Sequence, residues 1–126
     1  MTRLRTVVLV VRDLDRAVAI YEALGFELVE EAAEIASVGA RRALVRAENC
    51  AVELLQPIDD EKPPGLFLRA RGEGVFSVAL EVDDPATARS GLAGCFVDAR
   101  GAADDASRWW VRPADAHGLL IQVNPV

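Results

Sequence analysis

The chain repeats its own pattern of apolar and helix-capping residues. When it is laid on itself so that Thr6 meets Ser77, the segment TVVLVVRDLDRA aligns with SVALEVDDPATA. Later segments echo one another in the same order: Leu44–Arg46 with Trp110–Arg112, and Val52–Leu55 with Ile121–Asn124. Self-similarity at a fixed offset is typical of one structural unit used twice. We therefore expect two copies of one strand-and-helix module.

Each copy predicts a strand, a helix and three more strands. Leu4–Val11 is apolar and rich in β-branched residues, which is typical of a strand covered on both faces. Asp13 is a favourable N-cap for a helix that Gly25 ends, and Asp84 caps the second helix with Pro85 at its first position. In the first copy three further strands are predicted, at Phe26–Ala33, Arg41–Ala47 and Ala51–Gln56.

The order of these elements predicts an α+β fold made of two tandem βαβββ modules. The modules are expected at residues 1–57 and 72–126, and the proline-rich, charged segment 58–71 is predicted to link them. A chain of 126 residues, 52% of them hydrophobic, suits a single domain in which both modules take part.

Composition excludes several classes of protein. No apolar run approaches the roughly 20 residues of a membrane-spanning helix, and the first residues do not resemble a signal peptide, so we expect a cytoplasmic protein without a membrane partner. The net charge of −6 repels phosphate backbones, so no nucleic-acid partner is expected. Cys50 and Cys95 lack metal-site spacing and are predicted to be reduced, mostly buried thiols.

Several segments resemble the vicinal oxygen chelate superfamily, which comprises glyoxalases, bleomycin-resistance proteins and extradiol dioxygenases. They are VVRDLDRAVAIYEALGFELV, VELLQP, FLRARGEGVFSVALEVDD and RPADAHGLLIQV, and within the superfamily they are most similar to methylmalonyl-CoA epimerases. The resemblance implies that the strands form a curved, cup-shaped mixed sheet with the helices outside. It also implies a small-molecule ligand or substrate and a homodimer.

Members of this family commonly draw metal ligands, usually His, Glu or Gln, from the first and last strands of each module. The resemblance carries these positions onto Thr6, Glu53, Ser77 and Gln122. Only Glu53 bears a charge, and neutral hydroxyls compete poorly with water for a divalent ion. The metal ligands are thus largely replaced, and we expect neither a metal nor another cofactor.

Strand alternation predicts that each of these side chains lies on the sheet face that would line the cup, together with Asn124. For Ser77 the alternative is a buried hydroxyl bonded to a neighbouring carbonyl. Trp109 and Trp110 straddle a strand, so one ring is expected to face a ligand and the other to fill the core, and the sequence leaves open which. His117 in its turn is predicted to be solvated, as are the arginines Arg41, Arg42, Arg46, Arg69 and Arg71. The alternative for an arginine at the mouth of the cup is a pair with a carboxylate or a CoA phosphate.

Two classes of function fit these residues. In an isomerase, cyclase or lyase acting on a small carbonyl or thioester compound, burial would raise the pKa of Glu53, which would serve as the acid/base. Thr6, Ser77 and Gln122 would then donate hydrogen bonds to an enolate-like oxygen. The alternative is a non-catalytic protein that sequesters a ligand, and an aromatic wall in an acidic chain suits a cationic, partly planar one.

Overall fold

The computed structural model describes residues 1–93, 99–101 and 107–126. The chain divides into two compact units: an N-terminal unit, Thr6–Phe76, and a C-terminal unit made of Met1–Arg5 and Ser77–Val126. The boundaries of these units fall within strands, so they differ from the module boundaries expected from the sequence. Each unit contains the predicted order of one strand, one helix and three strands, and the fold class is α+β as predicted.

The N-terminal unit has a mixed four-stranded sheet in the order β2-β3-β4-β1. Its elements are β1 (Arg3–Val10), α1 (Leu14–Ala23), β2 (Glu27–Ile35), β3 (Ala40–Arg46), β4 (Ala51–Pro57) and α2 (Pro63–Arg71). Strands β1 and β4 run parallel, whereas the β2-β3 and β3-β4 pairs are antiparallel. The parallel pair requires a crossover, which α1, β2 and β3 supply.

Helix α1 is fixed at both ends by local chemistry. The Asp13 carboxylate accepts a hydrogen bond from the Arg16 backbone N–H at 3.1 Å, and Gln56 Oε1 accepts one from the Leu14 N–H at 2.9 Å. Gly25 follows the helix at a φ of 98°, a conformation that favours glycine. The helix covers one face of the sheet, where the buried cluster consists of Leu14, Ala17, Ala43, Val45, Val52 and Leu54.

The segment predicted as a linker contains a helix, α2, that the sequence pattern did not reveal. Prolines occupy its first positions, where a missing N–H costs nothing, so the proline-rich run begins a helix instead of preventing one. The Phe67 ring packs edge-on against Phe76, with 5.4 Å between the ring centroids. Phe76 in turn packs against a cluster of Val8, Ala40 and Leu55 that is separate from the core under α1.

The strands of the C-terminal unit are arranged in the order β5-β8-β7-β6. Its elements are β5 (Gly74–Val82), α3 (Pro85–Ala93), β6 (Ala99–Gly101), β7 (Trp109–Val111), a short 3-10 turn (Pro113–Asp115) and β8 (Leu120–Pro125). Strands β5 and β8 run parallel, and the other pairs are antiparallel. The arrangement of strands thus repeats that of the N-terminal unit, as the internal repeat of the sequence predicts.

Helix α3 begins at the predicted cap. Asp84 accepts hydrogen bonds from the Thr87 hydroxyl at 2.7 Å and from the Thr87 backbone N–H at 3.1 Å, and these bonds hold the pKa of Asp84 below its usual value. The helix covers a core cluster of Trp109, Val111 and Val123. None of the helices in the described part of the chain is long and apolar enough to cross a membrane.

Two helical glycines allow a matched test of the packing of α2. A Cβ added to Gly65 would lie 2.3 Å from the Asp59 carbonyl oxygen, whereas one added to Gly91 in α3 meets nothing within 4 Å. We expect Gly65→Ala to lower the free energy of unfolding by more than about 1 kcal/mol, because backbone must shift. Gly91→Ala should raise it by about 0.4–1 kcal/mol. Urea denaturation followed by circular dichroism measures both, and equal effects would contradict the close contact.

Candidate functional site

The sheet face of the N-terminal unit opposite α1 carries two of the predicted site residues. Thr6 pairs with Ala51 and Val8 pairs with Glu53 in the parallel β1-β4 register. Because alternate residues share a face, Thr6 and Glu53 lie on the same side of neighbouring strands. Buried leucine and valine side chains of β4 and β3 lie on the other side, under α1. The predicted orientation of Glu53 relative to the helix therefore agrees with the strand register.

Glu53 is paired with an arginine on this face. Its Oε1 accepts a hydrogen bond from Arg42 Nε at 2.9 Å, and the two side chains are only 24% and 25% exposed. The same guanidinium donates through Nη1 to the carboxylate of Glu30. Arg42 is therefore half-buried rather than fully solvated, and it pairs with carboxylates, as the alternative from the sequence allowed: it bridges two of them on the face that carries Glu53.

The guanidinium of Arg42 keeps its positive charge. Burial of the guanidinium would by itself lower the pKa of Arg42, but the hydrogen bonds and charges of Glu30 and Glu53 outweigh burial and raise it. Arg42 thus remains a cation at any physiological pH. A fixed positive charge therefore lies beside the carboxylate of Glu53.

The residues at the family's metal-ligand positions do not fit a divalent ion. In the N-terminal unit they are the Thr6 hydroxyl and the Glu53 carboxylate, and that carboxylate already binds the guanidinium of Arg42. A cation at Glu53 would face this fixed positive charge, and hydroxyls are weak ligands at neutral pH. In the described ranges 1–93, 99–101 and 107–126, no group of three or more His, Cys, Asp or Glu side chains is arranged to hold a metal.

The C-terminal unit carries the other predicted residues on the face opposite α3. Trp110 pairs with Gln122 across β7 and β8, and Asn124 lies two residues further along β8. Together with Arg108 these side chains line a cavity of about 190 Å³ that Trp109 and Val123 also border. Trp110 is 43% exposed, so its ring is open to a ligand.

The two tryptophans have different roles, which the sequence had left open. Trp109 is 4% exposed, packs in the core with Val111 and Val123, and donates its indole N–H to the Pro85 carbonyl at 3.1 Å. Its ring therefore stabilises the C-terminal unit and is not open to a ligand. Trp110 is the ring on the opposite face, beside Gln122.

Ser77 is far less accessible than the other predicted contacts. It is 2% exposed, and it pairs with Leu120 in the parallel β5-β8 register. Its burial favours the alternative considered from the sequence, a hydroxyl enclosed in the sheet. A direct contact between Ser77 and a ligand remains a prediction.

The larger cleft in the N-terminal unit contains none of the predicted site residues. Its volume is about 520 Å³, and it lies beside α1, lined mainly by Leu9–Val11, Ala17, Ile20, Tyr21 and Leu24, with Asp13, Arg16, Glu73 and Gly74. Its wall is mostly apolar, and its two carboxylates already accept hydrogen bonds, since Asp13 caps α1 and Glu73 accepts a hydrogen bond from the Arg12 backbone N–H at 2.9 Å. The pair of Arg42 and Glu53 is therefore the stronger candidate for a functional site in this unit.

His117 and the two cysteines are not assigned to either candidate site. His117 is exposed in a turn, as predicted, at a φ of 58°. Cys50 is a free, half-buried thiol, whereas Cys95 lies outside the described residues.

The sequence did not single out Arg42, Glu30 or Arg108. The signal for Arg42 was available, because β3 alternation puts it on the same face as Leu44, the residue that pairs with Glu53. Its partner Glu30 was hidden by irregular register between β2 and β3.

Comparisons with known proteins agree on one family. The family model described as the Glyoxalase/Bleomycin resistance protein/Dioxygenase superfamily matches residues 6–112. A sequence search of curated proteins finds no match.

Solved structures of similar fold include methylmalonyl-CoA epimerases. The epimerase from Mycobacterium tuberculosis is 29% identical, with a TM-score of 0.76 over 98% of this chain and 88% of its own. A variant of the Streptomyces coelicolor enzyme in complex with 2-nitronate-propionyl-CoA is 24% identical, with a TM-score of 0.77 over 98% and 93%. A hypothetical protein from Bacillus halodurans C-125 is 19% identical, with a TM-score of 0.81 over 99% and 94%. The last two similarities show the fold alone.

Removal of the Arg42 guanidinium tests whether the bridge holds this face together. We expect Arg42→Met to lower the free energy of unfolding by about 1–3 kcal/mol, because Glu30 and Glu53 would lose a common charged partner. Arg46→Met is the matched control, since its pair with Glu27 is exposed, and it should change the value by about 0.5 kcal/mol or less. Urea denaturation measures both, and equal values would show that the bridge is no stronger than a surface pair.

Proposed function

Since the chain belongs to the Glyoxalase/Bleomycin resistance protein/Dioxygenase superfamily, we propose that it binds a small carbonyl or thioester compound and moves a proton on it without a metal ion. The observation that carries this proposal is the bond from Arg42 Nε to Glu53, which orients a half-buried carboxylate on the sheet face opposite α1. The similarity to the epimerase from Mycobacterium tuberculosis supports isomerase-type chemistry.

Glu53 is the proposed acid/base. Its carboxylate would accept a proton from the carbon next to the substrate carbonyl, and the electron pair of that C–H bond would move onto the carbonyl oxygen as an enolate. Return of the proton to another face or atom completes an isomerisation. Oε1 is held by Arg42, so the second oxygen, Oε2, is the one we assign to proton transfer.

The enolate must be stabilised by hydrogen-bond donors or positive charges, whose interaction with it strengthens as its negative charge develops. Thr6 lies on the same face as Glu53 and offers a hydroxyl donor, and the Arg42 guanidinium supplies a fixed positive charge nearby. In this proposal they take the part that a divalent ion plays in metal-dependent relatives. Ser77, Gln122 and Asn124 remain predicted ligand contacts.

One observation favours the alternative, a protein that binds and sequesters its ligand. Arg42 Nε already engages Oε1 of Glu53, and a guanidinium held on a half-buried carboxylate can serve recognition of a ligand without any proton transfer. A binding protein would use the same face for recognition alone. Turnover therefore decides between the two functions.

Assembly and compartment remain proposals that rest on the family resemblance and on composition. We propose a homodimer in the cytoplasm. Sedimentation velocity at micromolar concentration decides the first point, and a monomer there would contradict it.

Replacement of Glu53 separates enzyme from binding protein. With methylmalonyl-CoA and a panel of small ketones in D₂O, proton NMR follows exchange at the carbon next to the carbonyl. We expect Glu53→Gln to reduce exchange about 100-fold or more while ligand affinity changes little, because the amide keeps the shape and loses the basic oxygen. Glu27→Gln, which alters an exposed pair, is the matched control. Ligand binding without exchange in the unaltered protein would establish the sequestering function.

Elemental analysis tests the absence of a metal from the proposed reaction. After dialysis in buffer without chelator, we expect far less than one transition-metal ion per chain, because Glu53 is paired with the Arg42 guanidinium and the Thr6 hydroxyl is a weak ligand. Addition of a chelator should leave ligand binding and exchange unchanged. A stoichiometric ion whose removal abolishes exchange would overturn the metal-free mechanism.

A further inference from the structure

The cavity of the C-terminal unit combines an aromatic ring with a guanidinium. Gln122 and Asn124 are two residues apart in β8 and share a face of that strand, and Arg108 contacts the same face through Asn124. Trp110 pairs directly with Gln122 across the two strands. The four side chains line one cavity of about 190 Å³ on the side away from α3.

A short chain of hydrogen bonds fixes the guanidinium. Asn124 Nδ2 donates to the Leu80 carbonyl on the neighbouring strand at 3.5 Å, and Asn124 Oδ1 accepts from Arg108 Nη1 at 3.0 Å. The Asn124 amide thereby positions Arg108 over the sheet. Of the five N–H donors of a guanidinium, this bond uses one, and the planar fork that Arg presents matches the two oxygens of a carboxylate.

We propose that this cavity is a subsite for a planar aromatic group that carries a carboxylate. The exposed ring of Trp110 provides a surface for stacking, and Arg108 provides paired donors for the anion. A volume of about 190 Å³ is smaller than the roughly 300–1,000 Å³ of pockets that enclose a whole drug-sized ligand, so the cavity accommodates one ring-sized part. The inference concerns the C-terminal unit by itself and goes beyond the proposed function.

The charge of the cavity argues against the cationic ligand that composition suggested. The net charge of the chain is −6, but its effect is spread over the surface and screened within about 8–10 Å at physiological salt. Within the cavity, the nearby guanidinium of Arg108 makes the local electrostatic potential positive. A cationic drug stacked on Trp110 would lie beside this positive charge, whereas an aromatic carboxylate would be attracted to it.

The two tryptophans provide an internal control for a binding experiment. The chain contains only two, so ¹⁵N-labelled protein gives two indole N–H signals, which Trp110→Phe assigns. On titration with benzoate we expect the Trp110 signal to move and saturate. The Trp109 signal should stay, because that indole is buried and bonded to Pro85.

Variants and probes then test each part of the subsite. Arg108→Gln should weaken benzoate binding about tenfold or more, whereas Arg46→Gln removes an equal charge elsewhere and should leave affinity unchanged. Arg108→Lys keeps the charge and loses the planar fork, so its benzoate affinity should lie between those of Arg108→Gln and Arg46→Gln. The amide spectrum of each variant shows whether it is folded. Benzamide and acetate, which lack the charge or the ring, should bind more weakly than benzoate.

Three results would overturn the subsite: benzylammonium that binds Trp110 more tightly than benzoate, acetate that binds as well as benzoate, or benzoate affinity that is unchanged in Arg108→Gln. The same titration on Glu53→Gln separates this inference from the proposed function. If that variant binds benzoate normally, the subsite stands whether or not the unaltered protein shows exchange. If the unaltered protein shows exchange and benzoate moves neither indole signal, the subsite alone fails.

Discussion

Each unit is closed by a parallel pairing of its first strand with its last, β1 with β4 and β5 with β8. Parallel neighbours cannot be joined by a tight turn, so the intervening helix and two strands must cross over and return. The helix then covers one face of each small sheet, and the apolar residues of alternate positions pack beneath it. In the N-terminal unit the other face carries Glu53 and Arg42 beside a smaller buried cluster of Val8, Ala40 and Leu55. The division between core and candidate site follows from this pairing.

On the face of the N-terminal unit opposite α1, electrostatics decides what the polar residues can do. Arg42 engages Glu30 and Glu53 at once, and a half-buried guanidinium between two carboxylates stays charged. This fixed cation lies beside Glu53 and binds one of its carboxylate oxygens. In the proposed reaction it would compete with a metal ion for Glu53 and supply positive charge to a developing enolate. A metal-free reaction and simple ligand binding both agree with this arrangement.

The C-terminal unit uses the same architecture for a different surface. Trp109 and Trp110 are neighbours in the chain, yet strand alternation buries one beneath α3 and exposes the other beside Gln122. Asn124 ties Arg108 to Leu80 and gives that surface a positive charge within an acidic chain. The polar faces of the two units thus differ in character, with a carboxylate group in one and an aromatic, cationic cavity in the other.

The sequence by itself determined the βαβββ order, the caps at Asp13 and Asp84, and the family, because these depend on local periodicity and on residues close in the chain. It did not reveal α2, where prolines that usually mark a loop begin a helix. Only the tertiary structure decided that Arg42 bridges Glu30 and Glu53, that Ser77 is buried, and that Trp110 and not Trp109 is open to a ligand. The register between strands and the packing of a helix on one face set these contacts, and both depend on residues far apart in the chain.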